Sequence, residues 1–535
     1  MKKMQHVSSL GTMMKAYLAN QFTCYPARCA EIIHIFGKYQ LYHVITQLGT
    51  LHHYRGKSLP EDIHQEHCLY AENVARAFEE LGTCFIKLGQ MLSTRSDLLP
   101  APYTVALSRL QHTIAPVPGS QIAKIIEADL GASIADLFCF FDFEPVATAS
   151  IAQVHKALLH DGSSVAIKVQ RPGVQQQVEA DIEILLAITR FISKHTVLKF
   201  HSNLVSSVQE MKQSLLQELD FVQEANNTIT IGQDLQGFQH LTTPTIFSAY
   251  SSHQVLTLSF ITGRHLAQIT NDELGSFAPA TIAKELLFAY LKQIVINGVF
   301  HCDPHPGNLL LTDDGRLALL DFGMVGRLNE RQIENLLLLL LAFSERQGER
   351  VADTYLEMVD IPKNFDKRAF TQKICELVCH YYDHSKQGVE IGRALLDLVK
   401  IASTYHISIP RNFALLGKAL LNLDGTLYRL SPDLNLIQMI RYYLPQVIQQ
   451  RILSQISPGK SIVWLLDAKH LIENTLQKSD ALLGKLASEE FVTSRQIEHL
   501  DKSIRRASLR LSLGMIVSSL AFSLALLLRA KKKQH

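Results

Sequence analysis

The sequence predicts an α+β fold: a small β-containing lobe, then a larger helical lobe, with a helical extension before them and a membrane helix after. Three observations carry that expectation. Two β-prone runs in VATASIAQVHKALLHDGSSVAIKVQRPG are separated by Asp161-Gly162, a hairpin signal. From Leu266 onward the apolar spacing is mainly helical, interrupted by FHCDPHPGNLLL and a short hairpin around LTDDGRLALLDFG. Between Leu511 and Leu528 the chain runs 18 residues without a charge.

Residues 1–133 read as the helical extension. Within it, AENVARAFEELGTCFIKLGQMLSTRSDLLP sets Val74, Ala77, Phe78, Leu81, Phe85 and Leu88 at three- and four-residue steps, the pattern of an amphipathic helix. Lys87 and Gln90, three apart, leave that helix on neighbouring azimuths. Residues 134–265 form the small lobe: the hairpin, two long helices at about 174–196 and 203–230, and HQVLTLSFITG as a buried strand with a glycine-bearing connector. Residues 266–500 form the helical lobe, and 501–535 the membrane anchor.

At ~1.5 Å per residue the uncharged run reaches ~27 Å, the short end of a bilayer span. Arg505, Arg506 and Arg510 precede it, and Arg529, Lys531, Lys532 and Lys533 follow. Basic clusters at both ends suit phosphate headgroups better than a core, but they set no orientation. The N-terminal stretch has no long apolar core, so it is not read as a signal peptide.

With 52 basic and 50 acidic residues, the net charge is +2. That near-cancellation creates no global field for nucleic acid, and that class of partner is excluded. Eight cysteines without CxxC spacing fit reduced thiols rather than a disulfide framework. The densest group, CELVCHYYDH, offers Cys375, Cys379, His380 and His384 as metal ligands; a buried helix with small apolar cysteines is the preferred reading.

Phosphoryl transfer needs a cradle for phosphates, a cation on them and carboxylates for magnesium. Lys168 in VAIK lies fourteen residues after Val154, across the Asp-Gly turn, where a kinase carries its phosphate-contacting lysine. Glu218, Asp220 and Glu224 in ELDFVQEA supply candidate partner carboxylates. Asp303 and Asn308 are five apart, and Asp321 of LDFG comes thirteen after Asn308, both kinase offsets. The ordered set predicts a protein-kinase-like two-lobed fold that uses ATP and Mg2+. Asp321 is then the main magnesium ligand. Asn308 supports a second magnesium or fixes the loop, and Asp303 orients or deprotonates the acceptor. His301 and His305 are read as structural.

Two kinase features are missing. In place of GxGxxG stand Val146, Ala147, Thr148, Ala149, Ser150, Ile151, Ala152, Gln153 and Val154, a stiffer loop over the phosphates. After Gly323 the chain passes through MVGRLNERQ almost directly into a helix, leaving no ordinary activation loop. A conventional protein kinase is therefore disfavoured. Ser259 also stands where a kinase-like connector often carries Glu, at a place where adenine contacts come mainly from the backbone.

KLGQMLSTRSDLLP, ATASIAQVH, VAIKVQRPGV, ELDFVQEA and HCDPHPGN…LLDFG together resemble the UbiB family of atypical kinases, also called AarF or ABC1, over roughly residues 70–330. The resemblance implies that Lys87, Gly89 and Gln90 fold over the active site, with Glu218 and Asp220 near metal and nucleotide. It pairs Glu224 with Lys168 and ties the alanine-rich loop to altered nucleotide preference. It also implies support of ubiquinone biosynthesis, and ATPase activity more readily than protein phosphorylation. The expected place is the bacterial inner membrane, with the catalytic domain facing the cytoplasm. Expected partners are membrane lipid, quinone intermediates and other quinone-biosynthesis enzymes. Bacterial members often carry two C-terminal spans, where this chain has one clear one.

Two alternatives stay open. Aminoglycoside- and choline-type small-molecule kinases share the H-x-D-x-x-x-x-N loop, but have no reason to carry KLGQ or ATASIAQV. A nucleotide-binding scaffold need not keep Lys168, Asp303, Asn308 and Asp321 together. From about 335 to 500 no motif is legible.

Overall fold

The computed structural model describes residues 25–41, 61–93, 99–110, 115–195, 201–359, 365–383, 391–405, 411–434 and 436–455, with a few isolated positions besides. The expected membrane anchor at 501–535 lies outside the described residues, as does His384. Among the described residues no helix is long and apolar enough to cross a membrane. Contacts divide the chain into Met1–Val447 and Ile448–His535; of the second unit only the end of one helix is described.

The extension contributes α1 (Pro26–Lys38), α2 (Glu61–Leu81), α3 (Thr83–Ser93) and α4 (Ala101–Ser108). The amphipathic stretch expected as one helix is two. Gly82, at φ +88°, ends α2 in the left-handed region that glycine enters freely, and its N–H closes on Phe78 O at 3.1 Å. The apolar period survives the break because Phe78, Leu81, Phe85 and Leu88 all enter one core, shared with Ile182, Leu185 and Phe191.

The small lobe begins with α5 (Gly119–Leu130), followed by β1 (Phe140–Thr148), β2 (Ala152–Leu158) and β3 (Ser164–Gln170). Helices α6 (Val174–His195), α7 (His201–Glu218) and α8 (Phe221–Leu235) follow, then β4 (Leu241–Thr242) and β5 (Val255–Ser259). The strands β1-β2-β3-β5 form an antiparallel sheet. Val165, Ile167 and Val169, alternate residues of β3, pack with Ile122 and Ile126 of α5 on one face. Lys168 therefore leaves from the other face. The helix expected over about 203–230 is also two. The break falls at Leu219–Asp220, where the Asp220 carboxylate accepts from Gln223 N–H at 2.9 Å and caps α8.

A buried ion pair fastens the extension to this lobe. Arg28 of α1 donates from Nε and Nη2 to the two oxygens of Asp181 on α6, at 2.6 and 2.9 Å. Its Nη2 also reaches Leu81 O at 2.6 Å. The Asp181 side chain is 1% exposed. Burial pushes its carboxyl up, and Arg28 works against that rise.

The larger lobe carries β6 (Gly263–His265), α9 (Pro279–Lys292), β7 (Val299–His301), β8 (Leu309–Thr312), β9 (Leu317–Leu319) and β10 (Val325–Arg327). Helices α10 (Glu330–Ser344), α11 (Gly348–Leu356), α12 (Lys367–Asp383), α13 (Ile391–Thr404), α14 (Arg411–Leu430) and α15 (Leu436–Gln455) follow. One sheet runs β4-β9-β8-β6, and β10 pairs antiparallel with β7, Val325 opposite His301. Asn329 then caps α10 with a reciprocal Gln332 bond, so the chain is helical again seven residues after Gly323. On α12, Cys375 is half-buried and Cys379 exposed. These thiols do not fill a core, contrary to the expectation, because α12 turns that side outward.

Helices α13 and α14 cross at Gly392. A Cβ there would stand 2.1 Å from Leu421 N and 2.5 Å from Leu420 C, both backbone atoms. Gly392 N–H also donates to buried Asp424 at 2.9 Å. Gly392→Ala must push α14 away, and about 1–3 kcal/mol of destabilisation is expected. A lowered midpoint in thermal unfolding checks it; an unchanged midpoint would show that the crossing is loose.

Candidate active site

Lys168 stands opposite Val154 in the β2–β3 ladder and faces α8. Its Nζ donates to both oxygens of Glu224, at 2.7 and 2.8 Å, and lies 3.9 Å from Asp321 Oδ1. Burial alone would depress the ammonium, but Asp321 and Glu224 outweigh it and hold Lys168 charged. Burial pushes the Glu224 carboxyl up, with Lys168 offsetting part of the rise. Lys168 pulls Asp321 below the ordinary carboxylate range, against its own burial. The Asp321 side chain is nonetheless 54% exposed, so an oxygen remains open to a ligand.

Asp321 has φ +56°, a left-handed conformation that Asp and Asn tolerate better than most residues. Gly323 N–H donates to its Oδ1 at 3.2 Å. One turn beyond Glu224, Asn227 donates to Phe322 O at 3.0 Å and accepts from Arg327 at 3.2 Å. A single helix, α8, thus holds both the lysine and the segment that carries Asp321.

In the loop after β7, buried His301 packs its ring 5.1 Å from that of Phe322, and burial pushes its imidazole down. Its Nδ1 meets Asp303 N–H at a long 3.5 Å. Asn308 Nδ2 donates to Asp303 O at 3.1 Å, and His305 Nδ1 accepts from Gly307 N–H at 3.0 Å. All these bonds brace the loop.

The Asp303 carboxylate has partners that sequence reasoning missed. Asn422 Nδ2 donates to its Oδ1 at 2.6 Å, and Lys418 Nζ lies 3.4 Å from its Oδ2. Thr426 Oγ1 donates to Pro304 O at 2.7 Å. Lys418, Asn422 and Thr426 sit at four-residue steps on α14, one stripe along the helix. Three polar residues at that spacing in GKALLNLDGTLYRL were the available signal, and it reads equally as a solvated face.

The loop at 146–154 is a tight hairpin. Thr148 pairs with Gln153, and Ala149 N–H closes on Ala152 O at 2.8 Å. Ile151 and Ala152 are buried in the extension's core, while Val146 is exposed. Gln153, expected on the nucleotide, is buried instead. Its Oε1 accepts from Val117 N–H and its Nε2 donates to Val117 O, each at 2.9 Å, because strand alternation turns it to the linker. Thr83 Oγ1, at the start of α3, donates to Ser150 O at 3.2 Å.

On α3, Lys87 forms an ion pair with Glu218 at the end of α7. Gln90 does not join them. Its Nε2 donates to Leu110 O at 3.1 Å, since three helical residues rotate it towards the end of α4. Gly89 fits the close approach there: a Cβ would stand 2.3 Å from Leu110 Cδ1. Asp220 is exposed and engaged in capping α8. Ser259 Oγ accepts from Thr245 N–H at 2.9 Å, stitching the connector to the preceding segment.

Residues 109–355 match the ABC1 atypical kinase-like domain, and residues 374–435 the UbiB helical domain. A probable protein kinase UbiB of Aeromonas hydrophila is 32% identical over 393 residues, covering 72% of this chain and 71% of that one. The chain belongs to the UbiB family of atypical kinases. A second probable protein kinase UbiB, from Cellvibrio japonicus, is 29% identical and covers 79% of this chain and 78% of its own. An uncharacterized protein in the hydrogenase 1 5' region of Clostridium pasteurianum is 28% identical, covering 86% and 87%. Among solved structures, the Rv3197–erythromycin complex from Mycobacterium tuberculosis aligns at 24% identity. It covers 66% of this chain and 89% of that one, at a TM-score of 0.45, too low to bear on the fold. In UbiB terms, Asp303 belongs to the ABC1 domain, and the α14 stripe that holds it belongs to the UbiB helical domain.

The donor set suits magnesium carried by a nucleotide. Asp321 and Asn308 offer hard oxygen atoms, and Lys168 stands beside Asp321 as a fixed cation. Among the described residues no group of three His, Cys, Asp or Glu side chains is placed to hold a metal unaided. A nucleotide-borne magnesium needs only one or two protein carboxylates, the remainder coming from phosphates and water.

Proposed function

We propose that this UbiB-family protein is an atypical kinase or ATPase that supports ubiquinone biosynthesis at a membrane. The carrying observation is the grouping of Lys168, Glu224 and Asp321, with Asp303 braced in the loop whose His301 packs on Phe322, the neighbour of Asp321. Bound ATP with Mg2+ supplies the transferable phosphoryl group and the charge that neutralises it in transfer. Lys168, kept charged by Glu224 and Asp321, binds phosphate oxygens. Asp321 and Asn308 hold the metal, and Asp303 orients the attacking oxygen and accepts its proton. The Lys87–Glu218 pair holds α3 beside the end of α7, where it helps exclude a peptide acceptor.

The short path from Gly323 through β10 into α10 provides no platform for a protein acceptor. The acceptor read here is water, with turnover coupled to handling of lipid-embedded quinone intermediates and to partner enzymes of the same pathway. The uncharged run at 511–528 between basic flanks supports an inner-membrane anchor, while a cytoplasmic catalytic domain rests on the family resemblance alone. Adding anionic phospholipid vesicles to the full-length protein is expected to raise ATP hydrolysis several-fold. No response to vesicles with the C-terminal segment intact would sink the lipid coupling.

A further inference from the structure

We propose that Lys418, on α14 of the UbiB helical domain, is a catalytic residue whose ammonium binds the terminal phosphoryl group during transfer. The inference rests on the kinase or ATPase reading of the same site.

Four observations carry it. The loop HCDPHPGN holds no lysine or arginine, and Cys302, 1% exposed, fills the place where a kinase loop carries its arginine. Transfer develops negative charge on the phosphoryl oxygens, and a fixed cation there is a large part of catalysis. Among the described residues, Lys418 is a cation that the fold brings to Asp303, with Nζ 3.4 Å from Oδ2. An attacking oxygen served by Asp303 must lie about 2.6–3.2 Å from that same carboxylate. The attacking atom and the Lys418 ammonium are therefore neighbours, and the phosphorus under attack lies one bond further on.

A purely structural role fits Lys418 less well. Asn422 already orients Asp303 with a 2.6 Å bond, and Thr426 already ties α14 to the loop. The Lys418 side chain is 48% exposed, and a solvated pair of that kind contributes little to stability. Its long, flexible stem can swing from the resting carboxylate onto an incoming phosphate. In the step itself, the acceptor's O–H proton passes to Asp303 as the new O–P bond forms. The bond from phosphorus to the bridging oxygen of ADP breaks, and that oxygen keeps the electron pair. Lys418 takes no part in the proton transfer.

The test compares full-length wild type, Lys418→Ala and Lys418→Arg for calorimetric binding of Mg·ADP and of a non-hydrolysable ATP analogue, and for kcat. The alanine variant should bind ADP within about twofold of wild type and the ATP analogue about tenfold more weakly. Its kcat should fall on the order of 100-fold. Arginine, which keeps the charge, should restore most of the loss in analogue binding. Equal weakening for both nucleotides, with a lower unfolding midpoint, would mark Lys418 as structural and overturn the proposal. A kcat that rises in Lys418→Ala would overturn it too, by making the ion pair an inhibitory lock. A wild type that binds neither nucleotide would sink the kinase reading itself. Normal wild-type binding with an unchanged preference in the alanine variant would sink this inference alone.

Discussion

Asp321→Asn is expected to cut magnesium-dependent ATP hydrolysis on the order of 10³-fold while leaving the protein folded. The loss follows from geometry. The Asp321 carboxylate is half-exposed, 3.9 Å from Lys168, and held charged by it, so its open oxygen is the one proposed as the main metal ligand. A neutral amide forfeits that charge, and 10³ in rate corresponds to about 4 kcal/mol of transition-state stabilisation. The fold should survive for two reasons. Asparagine tolerates the left-handed φ of +56°. Removing the charge also relieves Glu224, whose carboxyl Asp321 helps to push up. An unfolding midpoint at or above wild type, with turnover lost, is the expected pair of results. Full turnover in the variant would move the metal site elsewhere.

The largest stability loss is expected from Arg28→Ala. It strands the Asp181 carboxylate, 1% exposed, without a counter-charge, and breaking a buried pair in this way costs about 3–5 kcal/mol. It also removes the cap on Leu81 O, where α2 ends. The sign of the pH dependence follows from burial. Burial already raises the Asp181 carboxyl in the folded state, and without Arg28 only the Cys84 hydrogen bond opposes the rise. The folded variant then binds a proton more tightly than the unfolded chain does. Its deficit should be smallest near the ordinary carboxylate range, about pH 4, and grow as pH rises through the elevated folded value. Urea unfolding of wild type and variant across pH 4–8 measures this; a pH-independent deficit would mean that Asp181 finds another partner.

Local features were legible in the sequence, and those made by packing were not. The hairpin that carries Lys168 was readable because Asp161-Gly162 demands its own turn, and Gly162 has φ +88°. The offsets among Asp303, Asn308 and Asp321 were readable because a short loop and one hairpin fix them. The breaks at Gly82 and at Leu219–Asp220 were hidden, since the helices on either side feed the same core and the apolar period runs through them. The bonds of Gln153 to Val117 were not readable because membership of a loop motif says nothing about which face of the strand a residue takes. The bond of Gln90 to Leu110 O was not readable because the register of α3 against α4 decides its azimuth. The α14 stripe had no meaning until the fold brought it onto a loop far upstream.

That distance has a consequence for how the protein is made. Asp303 and Asn422 are separated by 119 positions in the chain. At ribosomal rates of ~5–20 residues per second, roughly 6–24 s pass between synthesis of the aspartate and of the amide that orients it. Throughout that interval the ABC1 domain can collapse around its own sheets, while the Asp303 carboxylate still lacks its Asn422 partner. Assembly of the site thus waits on the synthesis of α14. A nascent chain stalled ahead of α14 would hold Asp303 without Lys418 or Asn422.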